Sequence, residues 1–426
     1  MDAQAETKGP AAKPVGRYRY VVLTVIWITF FFGGFDRAAF PLFLVDHNFL
    51  RDMSLEGSPE RQGMLMTLLL LPYALSNIFL GHTADRWGPR KVFTIMTGFW
   101  TVAALWMGTV GSYAPMLAGR IVRGVAEGPL FPVANRYVRY WFPHDERGGA
   151  NAIWSSGLRV GMTVAVPLLS LVIVMWGWRS ALFIQATVIF CLVVPAIWFM
   201  TADSPDAMSR VGAGERDTIA RGRAAEKAAV AGGSGHLSGL LSNYRFWLMV
   251  IYHFANMAAF AGLTAWLPKY LREARGFDMG RTVIFTALPY LASFLSSMVF
   301  GFLSDRIGHR AALCALSLAG AAAAIGAGAL VSDPIASALL MVAGMALWGM
   351  GVPVYYVMMQ RIIPAPIMAT GIGIDNGLAN FGAALAPALI GFLIAATDSY
   401  IAGLLFLAGL GLIGAMVVAV LALQRY

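Results

Sequence analysis

Charged residues are scarce in this chain, and their scarcity excludes the ordinary soluble classes. Asp, Glu, Lys and Arg make up only 12% of the 426 residues, against 58% hydrophobic residues. A soluble protein carries about 25% charged residues. The composition therefore predicts a polytopic membrane protein in a lipid bilayer. The net charge of +9 would also suit nucleic acid, but basic loops in a membrane protein set its topology, so no nucleic-acid partner is expected.

Several chemical signatures are missing as well. The only two cysteines, Cys191 and Cys314, lie in apolar runs and indicate neither a disulfide framework nor a metal site. The first twenty residues are polar and lack a short apolar core with a cleavage site, which predicts a cytoplasmic tail before an uncleaved first helix. There is no phosphate-binding loop of the G-x-x-x-x-G-K-S/T type and no catalytic constellation. We therefore expect no enzyme activity, no metal and no cofactor.

Long apolar segments dominate what is present. Twelve of them reach the length of about 20 residues that a helix needs to cross a hydrocarbon core of about 30 Å. The segments are 20–45, 63–83, 92–111, 115–140, 150–175, 180–200, 246–271, 283–304, 311–331, 335–360, 368–395 and 400–423. A polar stretch after the sixth is expected to contain a short amphipathic helix. The sequence thus predicts an all-α membrane protein with a six-helix bundle in residues 1–201, a cytoplasmic linker in 202–244 and a second six-helix bundle in 245–426.

Basic residues fall unequally on the two sides of the membrane. With the N-terminus inside, 20 of the 31 Lys and Arg residues lie on the cytoplasmic side and 7 on the other. This asymmetry places both termini in the cytoplasm. Abundant Ala, Gly and Arg and the short loops indicate a bacterial inner membrane. The remaining four basic residues, Arg37, Arg120, Arg123 and Arg159, are embedded in apolar segments.

An internal repeat relates the two bundles. "GHTADRWGPRK" from Gly81 and "GFLSDRIGHRA" from Gly301 share Gly, Asp, Arg, Gly and Arg at an offset of 220 residues. Two pseudo-symmetric halves with a site between them are a transporter architecture. The first copy resembles the signature loop of the major facilitator superfamily, and this resemblance covers essentially the whole chain. It implies a monomer in which these loops latch the cytoplasmic helix ends in the outward-facing state. The latch residues that it implies are Gly81, Asp85, Arg86, Gly88, Arg90, Asp305, Arg306 and Arg310.

The embedded charges indicate an anionic substrate. Asp36 and Arg37, in "FFGGFDRAAF", are neighbours that point about 100° apart on a helix and so face different partners. The segment "GRIVRGVAEGPLFP" carries Arg120, Arg123 and Glu127, with Arg123 one turn and Arg120 two turns before the acid. A static salt bridge that pins two helices is the alternative interpretation of this stripe. Counted with Arg159, however, four cations face two acids, and this excess is costly unless an anion binds.

The same segments resemble one branch of the superfamily, the anion:cation symporters. "FDRAAF", "RIVRGVAEGPLFP" and "YWFPHDERGGANAIWSSG" carry the resemblance. That branch includes bacterial permeases for sugar acids, tartrate and phthalate, and animal vesicular glutamate and sialic acid carriers. The resemblance implies that Arg37 holds the substrate carboxylate, that Asp36 and Glu127 exchange protons, and that Arg120 partners Glu127. Arg123 and Arg159 depart from the usual pattern and favour a dianion or a second polar group on the substrate.

Other polar residues have two interpretations each. Tyr73 contacts substrate or packs between helices. Asn376 and Asn380, one turn apart, hydrogen-bond the substrate or another helix. His253 is a proton relay or a packing residue. Asp375 is a further titratable site or pairs with an Arg.

We therefore predict proton-coupled uptake of a small organic carboxylate, such as a sugar acid, hydroxy acid or aromatic acid, by rocker-switch alternating access. The alternative is a drug/proton antiporter of the same fold. Such antiporters show a Gly-Pro-rich motif in helix five and cavities poor in Arg, whereas this chain has a lone Pro167 there. A sugar carrier would not need buried Arg. A solute sensor that signals through the linker is a third class, for which the sequence shows no regulatory domain.

Overall fold

The protein is helical throughout the ranges that its structure, a computed structural model, describes: 16–80, 83–143, 146–230, 236–307, 309–364 and 367–424. The first half contains α1 (Tyr18–Phe43), α2 (His47–Asp52), α3 (Pro59–Leu80), α4 (Thr83–Trp87), α5 (Pro89–Thr109), α6 (Tyr113–Glu127), α7 (Leu130–Trp141), α8 (Arg147–Val188) and α9 (Val194–Met200). A π-helical segment, Ile189–Val193, joins α8 to α9.

The linker and the second half continue this all-helical pattern. After a 3-10 turn at Pro205–Ala207, the linker contains α10 (Ala213–Val230) and α11 (Leu237–Leu241). The helices of the second half are α12 (Tyr244–Lys269), α13 (Met279–Ile307), α14 (Arg310–Leu330), α15 (Pro334–Ile362), α16 (Met368–Thr397) and α17 (Tyr400–Leu423). Another π-helical segment, Tyr270–Ala274, extends α12.

The long helices make up twelve membrane crossings. In the described ranges, ten helical segments are long and apolar enough to cross a membrane. One of them, Gly149–Met200, has 52 residues and is broken at Gly177, whose φ of +80° is outside the helical region, so it supplies two crossings. Together α6, of 15 residues, and α7, of 12 residues, form a further crossing that is interrupted at Gly128 and Pro129, so neither helix alone is long enough to span the membrane. The prediction of a twelve-helix, all-α membrane protein is confirmed.

Small residues let the helices around the embedded charges pack backbone to backbone. A Cβ at Gly34 of α1 would meet the backbone of α8 at Leu158 and at Met162, whose nitrogen lies 2.6 Å away. In α6, a Cβ at Gly124 would meet the Leu69 carbonyl, and one at Gly128 would lie 2.5 Å from the Tyr73 carbonyl, both on α3. Such close approach requires small side chains at a membrane helix interface. The packing holds α1, α3, α6 and α8 around the charges.

Apolar packing closes the two halves against each other at one end of the bundle. We call the end where α1 begins and α17 ends the terminal side, and the opposite end the far side. On the far side a single buried cluster spans both halves and includes Phe40 and Met66 of the first with Leu267 and Ala386 of the second. Towards the terminal side, each half has a separate buried cluster. The halves are therefore closed against each other on the far side.

Polar contacts reinforce this closure. The Thr67 hydroxyl of α3 donates to the Ala384 carbonyl of α16 at 2.6 Å. The buried Lys269 ammonium of α12 donates to the Gln62 side chain of α3. A buried ammonium is costly unless it finds such a partner. These bonds join α3 to the second half.

The linker is attached to the first half by a buried carboxylate. Glu215 of α10 accepts hydrogen bonds from the backbone nitrogens of Tyr18, at 3.1 Å, and Arg19, at 3.0 Å. These amides are unpaired donors at the start of α1, where a negative charge is stabilising. The Arg19 guanidinium bridges from Glu215 to Glu146, which it contacts at 2.9 Å. Helix α10 is thus fixed to the N-terminal end of α1.

Candidate functional site

The charges embedded in α1 and α6 form one buried cluster. Arg123 lies at its centre, fully buried, with its guanidinium 2.7 Å from the Asp36 carboxylate and 3.8 Å from the Glu127 carboxylate. Asp36 is also fully buried. The Trp100 ring covers the guanidinium, 5.3 Å from its carbon. Two carboxylates therefore share a single guanidinium out of contact with water.

Arg37 points away from its neighbour Asp36. Its guanidinium lies 3.9 Å from Glu127, a long ion pair, and 5.0 Å from the centre of the Tyr73 ring. The Arg37 side chain is 21% exposed, whereas Glu127 is 6% exposed. Helix geometry explains the divergence, because successive side chains point about 100° apart. Arg37 is thus loosely paired and accessible.

The structure corrects the assignment of Arg120. In the described residues Arg120 makes no ion pair; its guanidinium donates to the Leu65 carbonyl at 2.8 Å and covers the Phe40 ring at 3.8 Å. The predicted pairing of Arg120 with Glu127 is wrong. The reason is axial distance, since two turns separate these residues by about 10 Å, while Arg123 is only one turn from the acid. Arg120 and Arg123 are both buried, and their predicted contact with substrate stays a prediction.

Arg159 of α8 is the least engaged of the four embedded cations. Its side chain is partly exposed, and within the described part of the chain it has no ion pair and no side-chain hydrogen bond. Tyr356 of α15, in the opposite half, lies close enough to interact with it electrostatically. An Arg without a partner at the boundary between two halves is suited to an anion, since its planar fork binds two oxygens at once.

The second half contributes polar residues from α16. Asn376 and Asn380 are both partly buried, and the Asn380 amide donates to the backbone carbonyl of Asn376 at 2.8 Å. Between them, Gly377 faces α3, where a Cβ would lie 2.9 Å from the Ile78 side chain. The α16 helix therefore lies against the first half. Contact of either Asn with a substrate stays a prediction.

The predicted latch falls partly outside the described residues. Gly81 and the side chains of Asp85, Asp305 and Arg306 lie outside the described residues. Of the other latch residues, Arg86 is exposed and Arg310 is the first residue of α14. Gly88 has a φ of +83°, a conformation that favours glycine. The Arg90 amide donates to Asp203 at 2.8 Å, and its guanidinium lies 4.2 Å from the Trp198 ring. The latching role itself stays a prediction.

Sequence reasoning missed two of these residues. Asp203 follows α9 and reaches the start of α5 across 113 residues of sequence. Tyr356 is one aromatic residue in an apolar helix, and nothing in its sequence context marks it as facing Arg159. Of the two, only Asp203 could have been suspected from the sequence, because Asp is a favoured acceptor for the free amides at the start of a helix.

The chain resembles known transporters along most of its length. Residues 26–374, and again 282–426, match the Major Facilitator Superfamily. The probable sulfoacetate transporter SauU of Cupriavidus necator is 30% identical over 408 residues, which cover 90% of this chain and 89% of that protein. The probable galactarate/D-glucarate transporter GarP of Escherichia coli strain K12 is 27% identical over 414 residues, 91% of each chain.

The fold has solved counterparts as well. A bacterial homolog of the human lysosomal transporter Spinster, in an inward-facing and occupied conformation, matches with a TM-score of 0.77. The match covers 97% of this chain and 98% of that one at 16% sequence identity, so the likeness concerns the fold alone. Taken together with the twelve crossings and the repeated loop, these matches show that the chain belongs to the Major Facilitator Superfamily and is a transporter, not an enzyme.

Proposed function

We propose that this chain is a proton-coupled symporter that takes up a small organic carboxylate, such as a sugar acid or hydroxy acid. The observation that carries the proposal is the buried cluster in which Asp36 and Glu127 share Arg123 while Arg37 is held only at 3.9 Å. Arg37 is accessible, its one ion pair in the described residues is the long contact with Glu127, and it also lies against the Tyr73 ring. It is therefore the cation that a substrate carboxylate can recruit.

Proton coupling follows from the charge balance in this cluster. Arg123 offsets one negative charge, and Arg37 offsets the other only weakly because of its distance. When a substrate carboxylate takes Arg37, Glu127 loses that partner, and a buried carboxylate without a counter-charge is costly. A proton on Glu127 removes the cost. Substrate and proton thus favour each other's binding, which is the thermodynamic requirement for symport.

Arg159 supports a substrate with a second acidic group. It is partly exposed and unpaired in the described residues, and it lies on a different helix from Arg37. The relatives reported above are named as probable transporters of sulfoacetate and of galactarate or D-glucarate, compounds that carry two acid groups. We propose that Arg37 and Arg159 each hold one acid group, while Arg120 and Arg123 organise the first half.

Alternating access is proposed to occur by rocking of the two halves, residues 1–201 and 245–426, about this site. The halves are packed together on the far side and have separate apolar clusters on the terminal side. The terminal side carries the excess of basic residues, so it is cytoplasmic by the positive-inside rule. The structure then represents a conformation closed to the outside of a bacterial inner membrane. We propose that a monomer is sufficient for this cycle.

Uptake into proteoliposomes tests the proposal. Under an imposed pH gradient, with a panel of dicarboxylates, sugar acids, aromatic acids and cationic drugs, acids should accumulate and drugs should not. Glu127→Gln should strongly reduce proton-driven uptake while leaving counterflow of unlabelled against labelled acid. The matched control is Glu60→Gln, at an exposed acid on the far side. Drug export without movement of any acid would establish the antiporter instead. Undiminished proton-driven uptake by Glu127→Gln would contradict the role of Glu127 in proton coupling.

Substitution of Arg159 tests the second acid group. A charged hydrogen bond contributes about 1.5–3 kcal/mol, so Arg159→Gln should raise KM for a dicarboxylate about 10- to 150-fold. A monocarboxylate of similar size, held by Arg37 alone, should be almost unaffected. An equal loss for both kinds of acid would show that Arg159 does not contact the second group.

A further inference from the structure

Three buried side chains of the second half form a cluster that the proposed mechanism does not use. His253 of α12 places its Nδ1 2.9 Å from an oxygen of Asp375 on α16. The hydroxyl of Tyr355 on α15 donates to the same oxygen, Oδ2. Asp375 is fully buried and His253 is 4% exposed. The other oxygen of Asp375, Oδ1, has no hydrogen-bond partner among the described residues.

The cluster lacks a permanent counter-charge. Within the described residues the only ion-pair partner of Asp375 is His253, which is a cation only when protonated. With one proton on the His253–Asp375 pair the cluster is neutral, whichever residue carries that proton. Without it, a buried negative charge remains with hydrogen bonds alone to stabilise it. Such a charge is strongly unfavourable in a low-dielectric interior, so the cluster has two states that differ by one proton.

The surroundings connect this cluster to the proposed substrate site. The titratable groups near its residues are Tyr252 of α12, Cys314 of α14 and Tyr356 of α15, and Tyr73 of α3 and Arg159 of α8 lie near Tyr356. Helix α1, which also packs on α12, carries Asp36 and Arg37, whereas α17 carries no titratable residue after Tyr400. The Tyr356 ring centre is 6.5 Å from that of His253. Arg159 is the permanent cation nearest to Tyr356 on the side of the proposed substrate site.

We infer that His253, Asp375 and Tyr355 form a second proton-binding site, which takes up a proton when substrate binds. This inference rests on the proposed symport. With the substrate site empty, the positive charge of Arg159 favours the deprotonated, negative state of the cluster. A substrate acid group on Arg159 cancels that charge, so the neutral, protonated state becomes favoured. By linkage, protonation of the cluster strengthens binding of the anion by the same factor. A fixed ion pair that fastens α12 to α16 is the competing role, and it predicts no change of protonation.

Nuclear magnetic resonance of imidazole-labelled protein decides between these roles without reference to transport. The His253 signal is identified among the six histidines by its loss in His253→Gln. At a fixed pH, tartrate, used as a dicarboxylate probe, should change the His253 signal as the cluster takes up its proton, and Arg159→Gln should remove that response. A His253 signal that is the same with and without tartrate would overturn the inference.

The transport stoichiometry provides the second test. In proteoliposomes, the tartrate gradient that balances an imposed pH gradient gives the number of protons per substrate. Asp375→Asn should lower that number by one while counterflow persists; an unchanged number with active transport would overturn the inference. If Asp375→Asn does not fold, Tyr355→Phe, which keeps the ring and removes the hydroxyl, should alter the response of the His253 signal to tartrate. An unaltered response would count against the site. Failure of all proton-driven uptake would refute symport but leave the magnetic resonance result standing.

Discussion

A single methyl group at Gly63 should change the balance between the two conformations of this transporter. Gly63 of α3 faces the Pro387 carbonyl of α16 across the closed far side, and an added Cβ would also lie 3.0 Å from the Ala388 Cα. These atoms are backbone, so no rotamer change can relieve the overlap. Overpacking of this kind costs about 1–3 kcal/mol. Because the contact exists only when the far side is closed, Gly63→Ala should favour the opposite conformation about 5- to 150-fold.

Spin-label distances measure this shift. Glu56→Cys and Thr397→Cys place labels at exposed positions on the far side, one in each half, in a Cys191→Ser background that removes the exposed native thiol. Electron–electron resonance should show a longer-distance population that grows at least fivefold in Gly63→Ala. Gly391→Ala should act in the same direction, since its Cβ would meet the Pro59 carbonyl.

The matched control is Gly161→Ala. Its Cβ would meet the backbone of Phe31, but both residues belong to the first half and stay together in either conformation. Gly161→Ala should therefore lower the thermal stability while leaving the distance distribution unchanged. If Gly63→Ala shifts the distances no more than Gly161→Ala does, the far-side contact does not set the conformational balance, and the reasoning fails.

Three further changes have defined outcomes. Asp36→Asn leaves Arg123 buried without its nearest partner, and the free energy of unfolding should fall by about 3–5 kcal/mol in denaturation measurements. Glu215→Gln weakens the attachment of α10 to α1, so trypsin should cleave the linker faster. Arg179 donates to Asp52 at 2.5 Å and holds the pKa of that carboxyl below its ordinary value of 3.8. The pair therefore stabilises the fold above that pH, and the Tm difference between wild type and Arg179→Gln should shrink as the pH falls below 3.8.

Each of these outcomes can fail in a recognisable way. Wild-type stability in Asp36→Asn would mean that the Arg123 guanidinium finds other partners or water. Unaltered proteolysis of Glu215→Gln would show that the linker is held by packing. A Tm difference for Arg179→Gln that stays constant at low pH would show that the Arg179 contribution does not depend on the charge of Asp52.

Local rules were sufficient to predict most of the architecture. Apolar length gave twelve crossings. Polar composition after the sixth segment correctly indicated a helix in the linker, which the structure shows at Ala213–Val230. These features depend on a residue and its near neighbours in sequence, which a sequence displays directly.

Contacts between distant segments could not be predicted in this way. His253 and Asp375 are 122 residues apart. For Asp375, the sequence left open whether it pairs with an Arg or is a further titratable site. The Arg120 error has the same origin. Helical spacing placed Arg120 and Glu127 on one face, but the Leu65 carbonyl and the Phe40 ring that engage Arg120 belong to other helices. Side-chain partners depend on tertiary packing, which periodicity does not encode.

The apolar cluster shared by the halves on the far side gives the transport cycle a thermal signature. Opening that side brings water onto surfaces that Phe40, Met66, Leu267 and Ala386 now keep dry. Exposure of apolar surface raises the heat capacity, so the enthalpy of the conformational change depends on temperature. If this step limits turnover, an Eyring plot of transport will be curved. Activation energies measured at two temperatures would then describe the hydration of this cluster as much as the chemistry of the bound acid.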